Sequence, residues 1–123
     1  EIEAAISGML PDLVETRDLK GDLHVHSEWS DGANTLEKLA LAARERGYQY
    51  LAITDHSKSL HIAHGLTEER IQSQREEIDR INKKYSDFRL LAGIEVEILT
   101  DGSLDFDDQL LDTHQESGCC SQE

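Results

Sequence analysis

The sequence predicts an α/β domain in βαβαβ order, with a hairpin after the third strand. Three observations predict it. Short apolar runs recur at 22–26, 50–53 and 88–98, and the segments between them repeat apolar residues every three to four positions. Each run ends near polar residues able to do chemistry: His24 and His26, then Asp55 and His56, then Glu95 and Glu97. Connections of this length join parallel strands, and right-handed crossovers put successive strand ends at one edge of a sheet, where chemistry gathers in such folds.

Taken in order, residues 1–20 read as a helical lead-in and linker. Ala4, Ala5 and Ile6 favour helix, Gly8 and Pro11 interrupt it, and 10–14 (LPDLV) reads as a connector that docks on a body. In the first strand Leu23 and Val25 should face a core, with Asp22, His24 and His26 on the opposite side. A polar turn over 28–32 leads to Asn34 or Thr35 as a helix cap. Leu36, Leu39, Ala40 and Ala43 form the buried stripe of that helix, and Gly47 stops it. The second strand, 50–53, ends in Thr54-Asp55-His56. A loop to Gly65 follows, then a helix capped by Thr67 with Ile71, Ile78, Ile81 and Tyr85 on one face. Asp101-Gly102 signals a hairpin pairing 96–99 with 103–106, with a short helix over 107–112. The domain proper is expected over 21–111, with 112–123 an atypical, disordered tail containing His114, Cys119 and Cys120.

The 123 residues suffice for one domain at most. A formal net charge of −14 argues against a basic nucleic-acid clamp, because nothing offsets phosphate in bulk. Bound cations would lift that restriction. No apolar run is long enough to span a bilayer, so no membrane is expected, and the opening Glu1-Ile2-Glu3 does not read as a signal peptide. Two adjacent cysteines make no disulfide framework, and a cytoplasmic location is the expectation.

His24 and His26 lie two apart on a strand, so their imidazoles leave the same face and can converge on one divalent ion. Glu95 has two oxygens with which to bridge ions, and Asp31 with His56 can hold another. Imidazole with carboxylate suits Zn2+, Fe2+ or Mn2+; carboxylate-rich sites suit Mn2+ or Mg2+. Such ions activate water and neutralise phosphate charge. His24, His26, His56 and Glu95 are therefore the candidate catalytic groups. Asp22 and Asp55 are candidates to orient a ligand imidazole from behind. Ser27, Trp29 and His64 are candidates to touch substrate, Trp29 by stacking on a base. Each residue also has a plainer reading: a turn at Thr54-Asp55-His56, a half-exposed strand residue at Glu95, core packing for Trp29, loop positions for His61 and His64.

The segments 21–27 (GDLHVHS), 29–32 (WSDG), 52–57 (AITDHS) and 92–97 (AGIEVE), in this order, resemble the PHP family of metal-dependent phosphoesterases. The resemblance runs over roughly residues 20–108. More narrowly, 10–14 (LPDLV), 54–57, 63–66 (AHGL) and 102–106 (GSLDF) are similar to the C-terminal PHP domain of bacterial family X DNA polymerases. The resemblance implies the N-terminal part of a distorted (β/α)7 barrel with up to three metal ions at the strand ends. It implies His24, His26 and Glu95 at the first metal, Glu95 bridging to a second, and Asp31 with His56 at the third. The implied activity is phosphoester hydrolysis, in the polymerase-linked subgroup 3′–5′ trimming of DNA ends during repair, with a polymerase module upstream. Later histidines of the family pattern have no counterpart here, so this chain is expected to bind ions weakly and turn over poorly. Two rivals share these residues: a stand-alone phosphatase acting on phosphate monoesters such as histidinol phosphate or nucleotides, and a degenerate, non-catalytic module supporting a polymerase.

Overall fold

The computed structural model describes residues 1–112 and the backbone of 119–121. Helix α1 (Ile2–Ile6) and a 3-10 turn (Thr16–Asp18) precede strand β1 (Gly21–Val25). Helix α2 (Leu36–Glu45), strand β2 (Tyr50–Ile53), helix α3 (Glu68–Asn82) and strand β3 (Arg89–Ala92) follow in the predicted alternation. Beyond them lie β4 (Glu95–Glu97), α4 (Asp108–Asp112) and β5 (Cys119–Ser121).

The first three strands form a parallel sheet in the order β1-β2-β3. The single strand expected over 88–98 is divided at Gly93-Ile94, yet its pairing with the β2 region keeps one register. Tyr50 faces Arg89, Ile53 faces Ala92, and His56 faces Glu95, with Gly93 N–H donating to Ile53 O and Glu95 N–H to Asp55 O. β2 thus extends functionally to His56, and β4 prolongs β3. The hairpin is narrower than expected: one antiparallel bridge, Ile98 to Leu104, around Gly102 at φ +85.

Both long helices begin where their sequences direct, and α2 also ends there; α3 stops at Asn82, so Tyr85, expected on its apolar face, lies beyond it. Thr35 Oγ1 accepts the Lys38 N–H and caps α2; Gly47, at φ +80, stops it. Thr67 caps α3 through the Arg70 N–H. Leu36, Ala40 and Ala43 of α2 pack with Ile78 and Ile81 of α3 on Leu51, Ile53, Phe88 and Leu90, while Leu39 and Tyr85 lie at the margin. A second cluster, Leu66, Ile71, Ile94, Val96 and Phe106, sits under the strand ends. Half-buried Trp29 touches both clusters, which makes it a packing residue, and its Nε1 donates to Glu77 at 3.1 Å.

Two expectations need correction. Leu23 is 59% exposed rather than core-facing. The cause is a bulge: Asp22 pairs with Leu51 but Val25 pairs with Ile53, so β1 contains one extra residue and the alternation breaks. The connector 10–14 docks on nothing among the described residues, and Leu10, Leu13 and Val14 are exposed. Within 112–123, the backbone of 119–121 forms β5, which pairs parallel with β4, Cys119 opposite Glu95, so that β4 lies between β5 and the β2 extension. His114 lies outside the described residues.

Candidate metal centre

Four segments meet at one end of the parallel sheet. The β1 bulge is held by Asp22, whose Oδ1 accepts the His24 N–H at 3.0 Å. Beyond it His24 and His26 emerge side by side, their rings stacked with centroids 5.2 Å apart. The continued β2–β4 pairing places His56 opposite Glu95. Asp31 rides on the turn 27–32, where Ser30 and Gly32 N–H groups both donate to Ser27 O. Gly32 lies so close to the preceding strand that a Cβ there would stand 2.4 Å from His26 O. Only glycine permits that approach.

The ligand-type atoms are closely spaced. His24 Nε2, His26 Nε2 and Glu95 Oε2 form a triangle with edges of 3.1, 3.2 and 3.0 Å. A second group, His26, Asp31 and His56, shares the His26 ring: His26 Nδ1 stands 3.0 Å from Asp31 Oδ1, and His56 Nε2 3.6 Å from Asp31 Oδ2. Glu95 is buried, Asp31 and His24 are about half exposed, and His26 and His56 lie between. Burial would raise the Asp31 carboxyl, but the His26 hydrogen bond and the charges of His26 and His56 outweigh it and hold it below the ordinary carboxylate range.

With neutral imidazoles and an ionised Glu95, protons alone do not satisfy this arrangement. A neutral imidazole has one N–H. If both Nε2 atoms donate to Glu95, two N–H groups oppose each other along the 3.1 Å edge and His26 Nδ1 faces Asp31 without a proton. Moving the His26 proton to Nδ1 sets two lone pairs against each other at 3.0 Å instead. The buried His56 Nδ1 has no hydrogen-bond partner, although carboxylate oxygens of Glu97 and Glu95 stand 3.4 and 3.5 Å away. A divalent cation resolves the triangle, since ligand atoms about 2.1 Å from an octahedral ion are about 3.0 Å apart, and about 3.4 Å apart around a tetrahedral one. The donor set fits a metal.

The five residues expected as ligands are therefore together. The other expected site residues are not placed as foreseen. Ser27 is fully buried, with its N–H and Oγ both donating to Asp55 at 2.7 and 2.6 Å, so it is closed to substrate. Asp22 and Asp55 bond backbone, serine and glutamine groups rather than an imidazole. His64 is exposed at φ 55, and its carbonyl accepts from Arg70, which also reaches Trp29 O. The sequence groups Glu97 with Glu95 at a strand end and gives it no role of its own. It is buried beside His56, with its N–H donating to Ser57 Oγ. Its alternation with Glu95 was visible; the neighbouring imidazole was not.

The PHP domain model matches residues 22–118, well over half of the chain. The chain belongs to the PHP domain family. Over 100 residues it is 52% identical to a DNA polymerase/3′-5′ exonuclease PolX of Bacillus subtilis, covering 81% of this chain and 18% of that protein. Over 54 residues it is 43% identical to a phosphoribosyl 1,2-cyclic phosphate 1,2-diphosphodiesterase of Eggerthella lenta, covering 44% of this chain and 19% of that one. This PHP domain thus spans about a fifth of the length of either relative. No helix among its described residues is long and apolar enough to cross a membrane.

Proposed function

We propose that this PHP domain serves a divalent-metal-dependent phosphoesterase, with His24, His26 and Glu95 holding one cation and His26, Asp31 and His56 framing a second. The observation that carries this reading is the triangle of two imidazole nitrogens and one carboxylate oxygen with edges of 3.0–3.2 Å. Two imidazoles and a carboxylate suit Mn2+ and Zn2+ alike. Bound divalent ions supply the positive charge that a phosphate needs and lower the pKa of a water nucleophile.

The chain's own residues supply the frame. Buried Glu95 fixes the inner side of the site; half-exposed His24 and Asp31 mark its open side, where a phosphate would enter. With a net charge of −14, phosphate has reason to approach only where cations are held. Exposed His64 is the remaining candidate to touch substrate. DNA 3′ ends are the favoured substrate class, in a cytoplasmic repair setting and with polymerase and further PHP segments outside this chain. The exonuclease named among its relatives supports this reading. The diphosphodiesterase relative supports a second reading, a small phosphodiester or monoester substrate on the same ligands.

Metal content after purification without chelator tests the proposal. Wild-type protein should retain at least one divalent ion, and His24→Ala should lose it while melting at the wild-type temperature when both are measured in chelator. Equal content in the two proteins would overturn the assignment. Hydrolysis of a 3′-recessed duplex against a cyclic phosphodiester and a phosphate monoester separates the two substrate readings.

A further inference from the structure

We infer that Asp55 is a positioning residue for the metal centre, acting through a buried clamp with Ser27, Ser30 and Gln74; this rests on the metal reading above. Asp55 is 1% exposed and its carboxylate accepts four hydrogen bonds. Oδ1 accepts the Ser27 N–H at 2.7 Å and the Ser30 Oγ–H at 2.5 Å. Oδ2 accepts the Ser27 Oγ–H at 2.6 Å and the Gln74 Nε2–H at 2.5 Å. A carboxylate has about four acceptor sites, and all are used, by uncharged donors only. An imidazole has no place in this shell.

The clamp joins every segment that contributes a ligand. Ser27 follows His26, Ser30 precedes Asp31, and Asp55 precedes His56 in the chain. The Asp55 backbone carbonyl accepts the Glu95 N–H at 3.1 Å. Gln74, buried on α3, anchors the assembly to the helix layer. One carboxylate therefore sets the 27–32 turn against the β2 extension, and with it the separation of Asp31 from His26 and His56. Four short bonds to one buried charge make that setting stiff, since hydrogen bonds to charged groups are the stronger kind.

Gln74 has no contact with the ligand atoms, so it can test the clamp from a distance. Gln74→Glu sets carboxylate against carboxylate, whereas Gln74→Met keeps the length of the side chain and removes only the donor. Mn2+ binding is measured by electron paramagnetic resonance at a temperature where each protein is folded by circular dichroism. Gln74→Glu should bind Mn2+ about 10–100-fold more weakly, the range for lost outer support of ligands. Gln74→Met, which leaves three of the four donors in place, should lose less. Wild-type affinity in Gln74→Glu, or a larger loss in Gln74→Met than in Gln74→Glu, would overturn the inference.

Should Gln74→Glu fail to fold, Ser30→Ala deletes a single hydroxyl and should still weaken Mn2+ binding about tenfold; wild-type affinity there would overturn it equally. Leu90→Ala, in the core away from the clamp, should melt earlier yet keep wild-type affinity, and an equal loss of affinity would make the role merely structural. If wild-type protein takes up no Mn2+, the metal reading itself fails. Amide exchange at Ser27 then judges the clamp alone: faster exchange in Ser30→Ala supports it, and unchanged exchange overturns it.

Discussion

The Asp55 clamp and the His24–His26–Glu95 triangle are neighbours at one end of the sheet, each built around a buried carboxylate, yet their hydrogen-bond accounts are opposite. Around Asp55, two oxygens meet four donors and nothing is left over. Around Glu95, atoms that mostly accept crowd together at 3.0–3.2 Å with too few protons to pair them. Buried polar groups are costly unless satisfied, so the first cluster stabilises the fold by itself, while the second has the character of a ligand set, as the proposed function requires. Counting donors against acceptors, rather than counting histidines and acids, separates a structural cluster from a ligand set.

That contrast predicts where substitutions hurt. Asp55→Ala strands four buried donors, each worth about 1–3 kcal/mol when unpaired, and should cost about 3–5 kcal/mol allowing for relaxation. His24→Ala removes a half-exposed ring and should change metal-free stability by no more than about 0.5 kcal/mol. Urea unfolding of both proteins in chelator measures the pair. A similar loss in each would erase the distinction between clamp and ligand set.

Much of the ligand set was legible in the sequence because strand periodicity is local. His24 and His26 are two apart, and polar residues at the ends of parallel strands must share an edge, whatever the details of packing. The clamp was hidden for the opposite reason. Ser27, Ser30, Asp55 and Gln74 are separated by up to 47 positions, as Gln74 minus Ser27 gives, and serine or glutamine in such motifs reads equally well as surface. Ser27 looked like a substrate contact because it borders a histidine; burial reverses that. Leu23 looked buried because alternation was assumed unbroken, and a one-residue bulge has no signature in the apolar pattern. The break at Gly93-Ile94 divides the third strand without shifting its register, so the placement of Glu95 survived it.

Gly32 lies where the two clusters meet and should report on both. A methyl group there would press on His26 O and the Ser27 N–H, moving the strand end, the turn, or both. Gly32→Ala should therefore destabilise by about 1–3 kcal/mol, as overpacking does, and weaken Mn2+ uptake as well. A loss of stability with ion binding intact would mean that the turn can shift without disturbing the ligands, which sharpens the comparison in favour of a yielding site.

The smallest effect belongs to a third kind of polar contact, the exposed ion pair, which serves as the control for both clusters. Arg44 Nη2 donates to both oxygens of Asp87, at 3.0 and 2.8 Å, and that hydrogen bond holds the Asp87 carboxyl below its ordinary value of 3.8. A carboxyl depressed in the folded state binds its proton more readily when unfolded, so its contribution is complete above the ordinary value and disappears as pH falls through the lower, folded one. The melting-temperature gap between wild type and Asp87→Asn should accordingly be small and constant from pH 7 to about pH 5, then close on the way to about pH 3. Added salt should shrink it throughout, because the Asp87 carboxylate is exposed and its pair with half-buried Arg44 is screened. The Asp55→Ala deficit should ignore salt, since the clamp holds its charge out of water with uncharged partners. If the Asp55 deficit fell with salt as the Asp87 gap does, the carboxylate would be reached by solvent ions, and the clamp would lose the burial on which its stiffness depends.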